Sequence, residues 1–192
     1  MKYPMFKVHI DEDAAIKSLK NVLSSGFFNE GVQVSEFSER LSEKMGYKNI
    51  VMTNSCTSSL TMALKLANVG YGDEVITTSM TCLATNTPIV NLGAKVVWAD
   101  INPNTGNICP NSVLKKITNK TKAVMCVNWA GLPCDLENLL EICEKNNIKL
   151  IQDAAHAFGA KYNDKDVSCY ADYTCYSFQA IKHITSGDGG AL

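Results

Sequence analysis

The chain has 192 residues, 46% hydrophobic and 19% charged, with a formal net charge of −1. This is enough apolar chain for one globular domain with its own core, and the near-neutral balance lacks the basic footprint of a nucleic-acid or anionic-membrane binder. No apolar run is long enough to cross a bilayer, and Met1 to Lys7 contains no secretory h-region, so a cytoplasmic protein without nucleic-acid or membrane partners is expected.

Short runs rich in β-branched residues alternate with helical patterns. Strands are predicted over 50–53, 74–78, 95–99, 122–127, 149–152 and 173–177, and helices over 11–24, 35–45, 58–68, 84–91, 111–117 and 135–146. Val34, Phe37, Leu41 and Met45 recur at helical spacing, with Gly46 as a stop, and Asp135 is placed to cap a helix carrying Leu136, Leu139, Leu140 and Cys143. Alternation with near-continuous apolar strands implies an α/β fold: a three-layer αβα arrangement around a mostly parallel sheet. Ligands in such folds bind beyond the carboxyl ends of the strands. The eight cysteines form no C-x-x-C pair, and several lie inside apolar runs such as Val124-Met125-Cys126-Val127. They read as small buried hydrophobes in a reducing compartment, with no metal site expected.

Three polar positions fall at predicted strand ends. Asn54-Ser55-Cys56-Thr57-Ser58 joins a strand to a helix, where hydroxyls and backbone N–H groups favour an anion, or simply cap the helix. Asp153 follows Leu150-Ile151-Gln152, either as a helix cap or as a carboxylate for a protonated ring nitrogen, with His156 three residues on. Ser177 opens the segment Phe178-Gln179-Ala180-Ile181-Lys182-His183, which runs on into Gly187-Asp188-Gly189-Gly190. A lysine enclosed by apolar neighbours gives up its proton more readily and can attack an aldehyde, and a solvated loop lysine between Ile181 and His183 is the alternative. A lysine for an aldehyde and a carboxylate for a ring nitrogen are the pair that pyridoxal 5'-phosphate (PLP) chemistry requires. No G-x-x-x-x-G-K-S/T loop is present.

The motifs taken together resemble the DegT/DnrJ/EryC1/StrS family of sugar aminotransferases, fold type I PLP enzymes, from about Gly26 to Leu192. The matching stretches include Gly70-Tyr71-Gly72-Asp73-Glu74, Leu92-Gly93-Ala94-Lys95, Gly131-Leu132-Pro133-Cys134-Asp135, Asp153 to Ala160 and Ser177 to Gly190. The resemblance implies that Lys182 carries PLP as a Schiff base and moves the substrate proton. It further implies that Asp153 pairs with the pyridine nitrogen, that His156 lies near the cofactor's 3′-oxygen, and that Ser177 with Cys56, Thr57 and Ser58 holds the phosphate.

Three features depart from the family pattern. Cys82, in Thr81-Cys82-Leu83-Ala84-Thr85, takes the place of an aromatic residue that stacks on the cofactor. Asn128 stands where many members have His, and its neighbour Trp129 is expected in the core, with substrate contact as the alternative. Members are also longer, so residues 1–192 are expected to be the PLP-binding large domain, truncated before the C-terminal small domain.

The activity implied is transfer of an amino group from an amino acid, expected to be glutamate, to a nucleotide-linked keto-sugar for polysaccharide biosynthesis, by a homodimer when complete. A sugar dehydratase of the same family would carry His in place of Lys182. A nicotinamide enzyme would need a G-x-G-x-x-G loop, which is missing. A truncated non-catalytic segment or sensor is the remaining alternative.

Overall fold

The computed structural model describes residues 7–8, 10–47 and 49–192. The N-terminal residues 1–6, on which most of the secretion-signal reading rests, lie outside the described residues. The chain divides into two compact units, Met1–Met52 and Thr53–Leu192.

The first unit contributes two helices. Helix α1 (Glu12–Ser25) begins where the Asp11 carboxylate accepts the Ala14 N–H, and it ends at Gly26, whose φ of 69° suits a residue without a β-carbon. Helix α2 (Val32–Met45) ends likewise at Gly46. Its predicted stripe is real: Leu41 is buried, and Val34, Phe37 and Met45 are half-buried.

The second unit is built on a sheet with strand order β1-β9-β8-β5-β4-β2-β3. The strands are β1 (Met52–Thr53), β2 (Glu74–Thr77), β3 (Lys95–Trp98), β4 (Thr121–Val127), β5 (Lys149–Asp153), β8 (Tyr173–Ser177) and β9 (Gly190–Ala191). Pairings from β3 through β2, β4 and β5 to β8 are parallel, and β9 returns antiparallel on β8. A separate two-stranded hairpin, β6 (Lys161–Tyr162) and β7 (Lys165–Asp166), was not predicted. Its turn residues Asn163 and Asp164 both have positive φ, and each strand is too short to show a period.

The crossovers decide which helix covers which face. Helices α3 (Cys56–Leu66) and α4 (Leu83–Asn91) connect strands that advance toward β3. Helices α5 (Pro110–Lys116) and α6 (Leu136–Lys145) connect strands that advance the other way. Right-handed crossovers therefore put α3 and α4 on one face and α5 and α6 on the other. The order in which strands are added reverses between the parallel neighbours β2 and β4, which is where an open parallel sheet makes its binding crevice.

The core under α3 joins Leu60, Ala63 and Leu64 to Val75, Ile89, Met125, Ile151 and Cys175. Strand β2 is buried along its length, whereas β3 at the edge is half-exposed, and its Lys95 pairs with Glu74 at 3.2 Å. Asp135 does precede α6, but its carboxylate takes the Asn138 amide and the Tyr162 hydroxyl instead of a backbone N–H. Among the described residues no helix is long and apolar enough to cross a membrane.

Candidate active site

Asp153 ends β5, with Val127 of β4 and Cys175 of β8 as its lateral neighbours. Its carboxylate is buried. Oδ2 accepts the Thr85 hydroxyl at 2.6 Å, and Oδ1 accepts the Ala155 N–H at 3.0 Å, with the Cys56 thiol 4.0 Å away. No helix starts at Asp153, so it is not a helix cap; its carboxylate holds a local turn instead, buried at a strand end. Burial, then the Asp153 charge, pushes the Cys56 and Cys175 thiols up, so neutral sulfur surrounds this carboxylate.

The first turn of α3 adjoins it. Ser55 is the N-cap; its hydroxyl accepts the Ser58 N–H at 3.2 Å and lies 3.1 Å from the Ser58 hydroxyl, which also donates to Asn54. Thr57 and Ser58 are half-buried, while the Cys56 side chain turns into the core. Cys56 can therefore offer an anion only its backbone N–H, one of those a helix start leaves unpaired. Ser177 sits in register with Gly190, and a β-carbon on Gly190 would lie 2.6 Å from the Cys56 nitrogen. Ser177 is thus one strand away from the α3 turn. It is buried, and its oxygen accepts the Gln179 N–H at 3.4 Å.

Lys182 lies on the loop between β8 and β9. The loop is closed at its base: Phe178 N–H donates to Gly189, Ser186 N–H donates to Phe178, and within it the Lys182 N–H donates to Gln179. Phe178 is fully buried, but Ile181 is half-exposed and Lys182 is only partly buried. The expected enclosure of the lysine is therefore not provided by the residues of this chain. Its charge still reaches two site residues, opposing the upward push on Cys56 and holding His156 down.

His156 is half-buried and meets the Trp129 ring edge-on, with centroids 5.6 Å apart. Burial first, then the Lys182 cation, holds its imidazole below the ordinary value, with Asp153 pulling the other way. Trp129 is not a core residue. It is half-buried, in a turn whose Gly131, at φ 87°, passes so close to the His156 carbonyl that a β-carbon would lie 2.9 Å from that oxygen. Asn107 fixes this turn, accepting the Trp129 N–H at 2.9 Å and donating to the carbonyls of Leu132 and Pro133. Asn128 is buried and structural: its amide donates to Gln152 at 2.8 Å and its oxygen accepts the Cys134 N–H. Cys82 is exposed at the N-cap of α4.

Sequence reasoning gave Thr85 and Asn107 no role. Thr85 bonds a carboxylate 68 residues further on, a distance over which local pattern carries no signal.

Residues 9–192 match the DegT/DnrJ/EryC1/StrS aminotransferase family. The chain belongs to that family. The spore coat polysaccharide biosynthesis protein SpsC of Bacillus subtilis is 37% identical over 177 residues, which are 92% of this chain and 46% of that protein. Among solved structures, Spr1654 from Streptococcus pneumoniae in its PLP-form superposes with a TM-score of 0.93 at 32% identity, covering 98% of this chain and 52% of that one. Helicobacter pylori PseC, an aminotransferase involved in the biosynthesis of pseudoaminic acid, gives a TM-score of 0.90 at 32% identity, with 98% and 51% covered. This chain spans about half the length of these relatives.

The residues present fit pyridoxal phosphate chemically. A buried carboxylate suits a protonated ring nitrogen, an amine suits an aldehyde, and a hydroxyl-rich helix start suits a phosphate.

Proposed function

We infer that residues 1–192 are the PLP-binding large domain of a sugar aminotransferase, acting in the cytoplasm on a nucleotide-linked keto-sugar, with an amino acid such as glutamate as donor. The names of the relatives support a sugar product that feeds polysaccharide biosynthesis. The family works as homodimers, and that assembly is proposed for the complete protein.

The observation that carries this reading is the convergence of three segments at Cys56, the start of α3. Its thiol lies 4.0 Å from Asp153 Oδ1, and Gly190, which follows the Lys182 loop, packs against its backbone nitrogen. Bound pyridoxal phosphate supplies an aldehyde that takes the amino group and a ring that accepts the electron pair of a broken C–H bond. Lys182 would hold that aldehyde through its amine and, once displaced from it by the incoming amino group, would take the proton from the donor's α-carbon and return one at the sugar carbon that gains nitrogen. Asp153 would accept the ring N–H and keep the nitrogen positive. Ser177, Thr57, Ser58 and the Cys56 N–H would hold the phosphate, His156 would face the 3′-oxygen, and Cys82 would take the stacking position with less contact area than an aromatic ring.

Borohydride reduction of the chain with pyridoxal phosphate, followed by peptide mass spectrometry, tests it. A phosphopyridoxyl mass on the Lys182 peptide, absent in Lys182→Ala, is expected. A folded chain that gives no adduct rejects the reading for this segment.

A further inference from the structure

Three threonines inside helices of the second unit, Thr61, Thr85 and Thr87, donate hydroxyl hydrogen bonds, and they behave differently. Thr61 and Thr87 donate to the carbonyl four residues back, Thr57 at 2.8 Å and Leu83 at 2.9 Å. This is the usual local outlet for a helical hydroxyl. Thr85 does not use it. Its proton goes to Asp153 Oδ2 at 2.6 Å, and its oxygen lies 2.7 Å from the Thr81 hydroxyl. A hydroxyl has one proton. With Thr85's spent on Asp153, the proton of the second bond must come from Thr81. The chain therefore runs one way, from half-buried Thr81 through buried Thr85 to Asp153.

The start of α4 is also held from the sheet side. Thr77 donates to the Asn86 oxygen at 3.0 Å, and the Asn86 amide donates to the Thr78 carbonyl at 3.1 Å. Thr85, next to Asn86, is fixed by its backbone as well as by its partners. Oδ1 of Asp153 is set by the Ala155 N–H, with the Cys56 thiol 4.0 Å away, whereas Oδ2 has Thr85 as its one protein donor and a lone pair left over.

We propose that Thr85 is a positioning residue of the cofactor site: it orients the Asp153 carboxylate toward the ring nitrogen, with Thr81 fixing the direction of its hydroxyl. This rests on the reading of Asp153 as the ring-nitrogen partner. A purely structural Thr85 would satisfy itself on the carbonyl of residue 81, as Thr61 and Thr87 do on theirs.

The test loads the chain with 15N-labelled pyridoxal phosphate and reads the ring-nitrogen chemical shift together with the dissociation constant. Thr85→Val keeps the shape and removes the donor. It should bind the cofactor about tenfold more weakly, the scale of a charge-assisted hydrogen bond, and move the 15N signal toward the unprotonated position. Thr85→Ser should restore both. Thr81→Val should shift both in the same direction by less. A folded Thr85→Val with wild-type affinity and shift overturns the inference alone. If Thr85→Val does not fold, Thr81→Val decides, and an unchanged 15N signal there overturns it. A wild-type chain that takes up no cofactor overturns the underlying reading of the site, and this inference with it.

Discussion

Gly190 packs against Cys56 so closely that a β-carbon on the glycine would sit 2.6 Å from the Cys56 nitrogen and 2.5 Å from the Ser55 carbonyl carbon. Both neighbours are backbone, so neither can swing away. Gly190→Ala must push β9 off the start of α3, at a cost of about 1–3 kcal/mol, the usual range for overpacking. Urea unfolding should show that loss, and cofactor titration should show weaker phosphate binding, because the displaced turn carries Thr57 and Ser58.

His156 gives the chain a pH signature. Its folded value is held below the 6.5 of the free side chain, chiefly by burial. The folded state therefore binds fewer protons than the unfolded one as pH falls through this range, and stability drops below about pH 6.5. Above that pH the imidazole is neutral in both states and contributes no pH dependence. Urea midpoints of wild type and His156→Gln at pH 8, 7, 6 and 5 should show the wild type losing ground to the variant as acid is added. A constant gap would contradict this.

Asn128 and Gln152 form a buried amide pair that nothing at the surface can replace. Asn128→Leu leaves the Gln152 oxygen and the Cys134 N–H without the partners they now have. A loss of about 3 kcal/mol is expected for two such groups, measured by chemical denaturation. Gln152 retains its bond to the Val167 carbonyl, so the fold should survive the change.

The eight thiols separate by exposure. Cys82 and Cys169 are exposed, Cys109 is half-buried, and the other five are buried. Burial pushes the Cys143 thiol up to about 12, so at pH 8 it carries almost no reactive thiolate. A thiol reagent should therefore label two cysteines quickly and a third more slowly, with the last five requiring denaturant. Cys82→Ser with Cys169→Ser should remove the fast phase.

Strand positions were legible because each central strand is rich in apolar, aromatic or β-branched residues: β2 and β8 were found to within a residue, and β5 short only of Asp153 itself. The stripe of α2 was legible because its period is a full helical one over four positions. The hairpin at Tyr162 was hidden because two-residue strands carry no alternation. Within the site, Asp153 and Lys182 stood out as titratable groups in apolar surroundings, and the closed loop around Lys182 followed its glycines. Thr85, Asn107 and Gly131 did not stand out. Their roles are hydrogen bonds and close approaches between segments far apart in sequence, and these exist only once β2, β4 and β5 lie side by side. Trp129 was misplaced into the core for the same reason: a tryptophan after an apolar strand looks buried until the turn that carries it is seen to face His156.

During synthesis, this topology fixes the order in which these residues can be held. Asp153, Thr85 and the first turn of α3 belong to segments made before residue 160, and Lys182 follows them out of the ribosomal tunnel. The base of its loop is tied only when Ser186 and Gly189 reach Phe178 and Gly190 settles against Cys56. The segment from Gly187 to Ala191 therefore acts as a latch in time as well as in space, and the Lys182 loop is the last of these parts to be held.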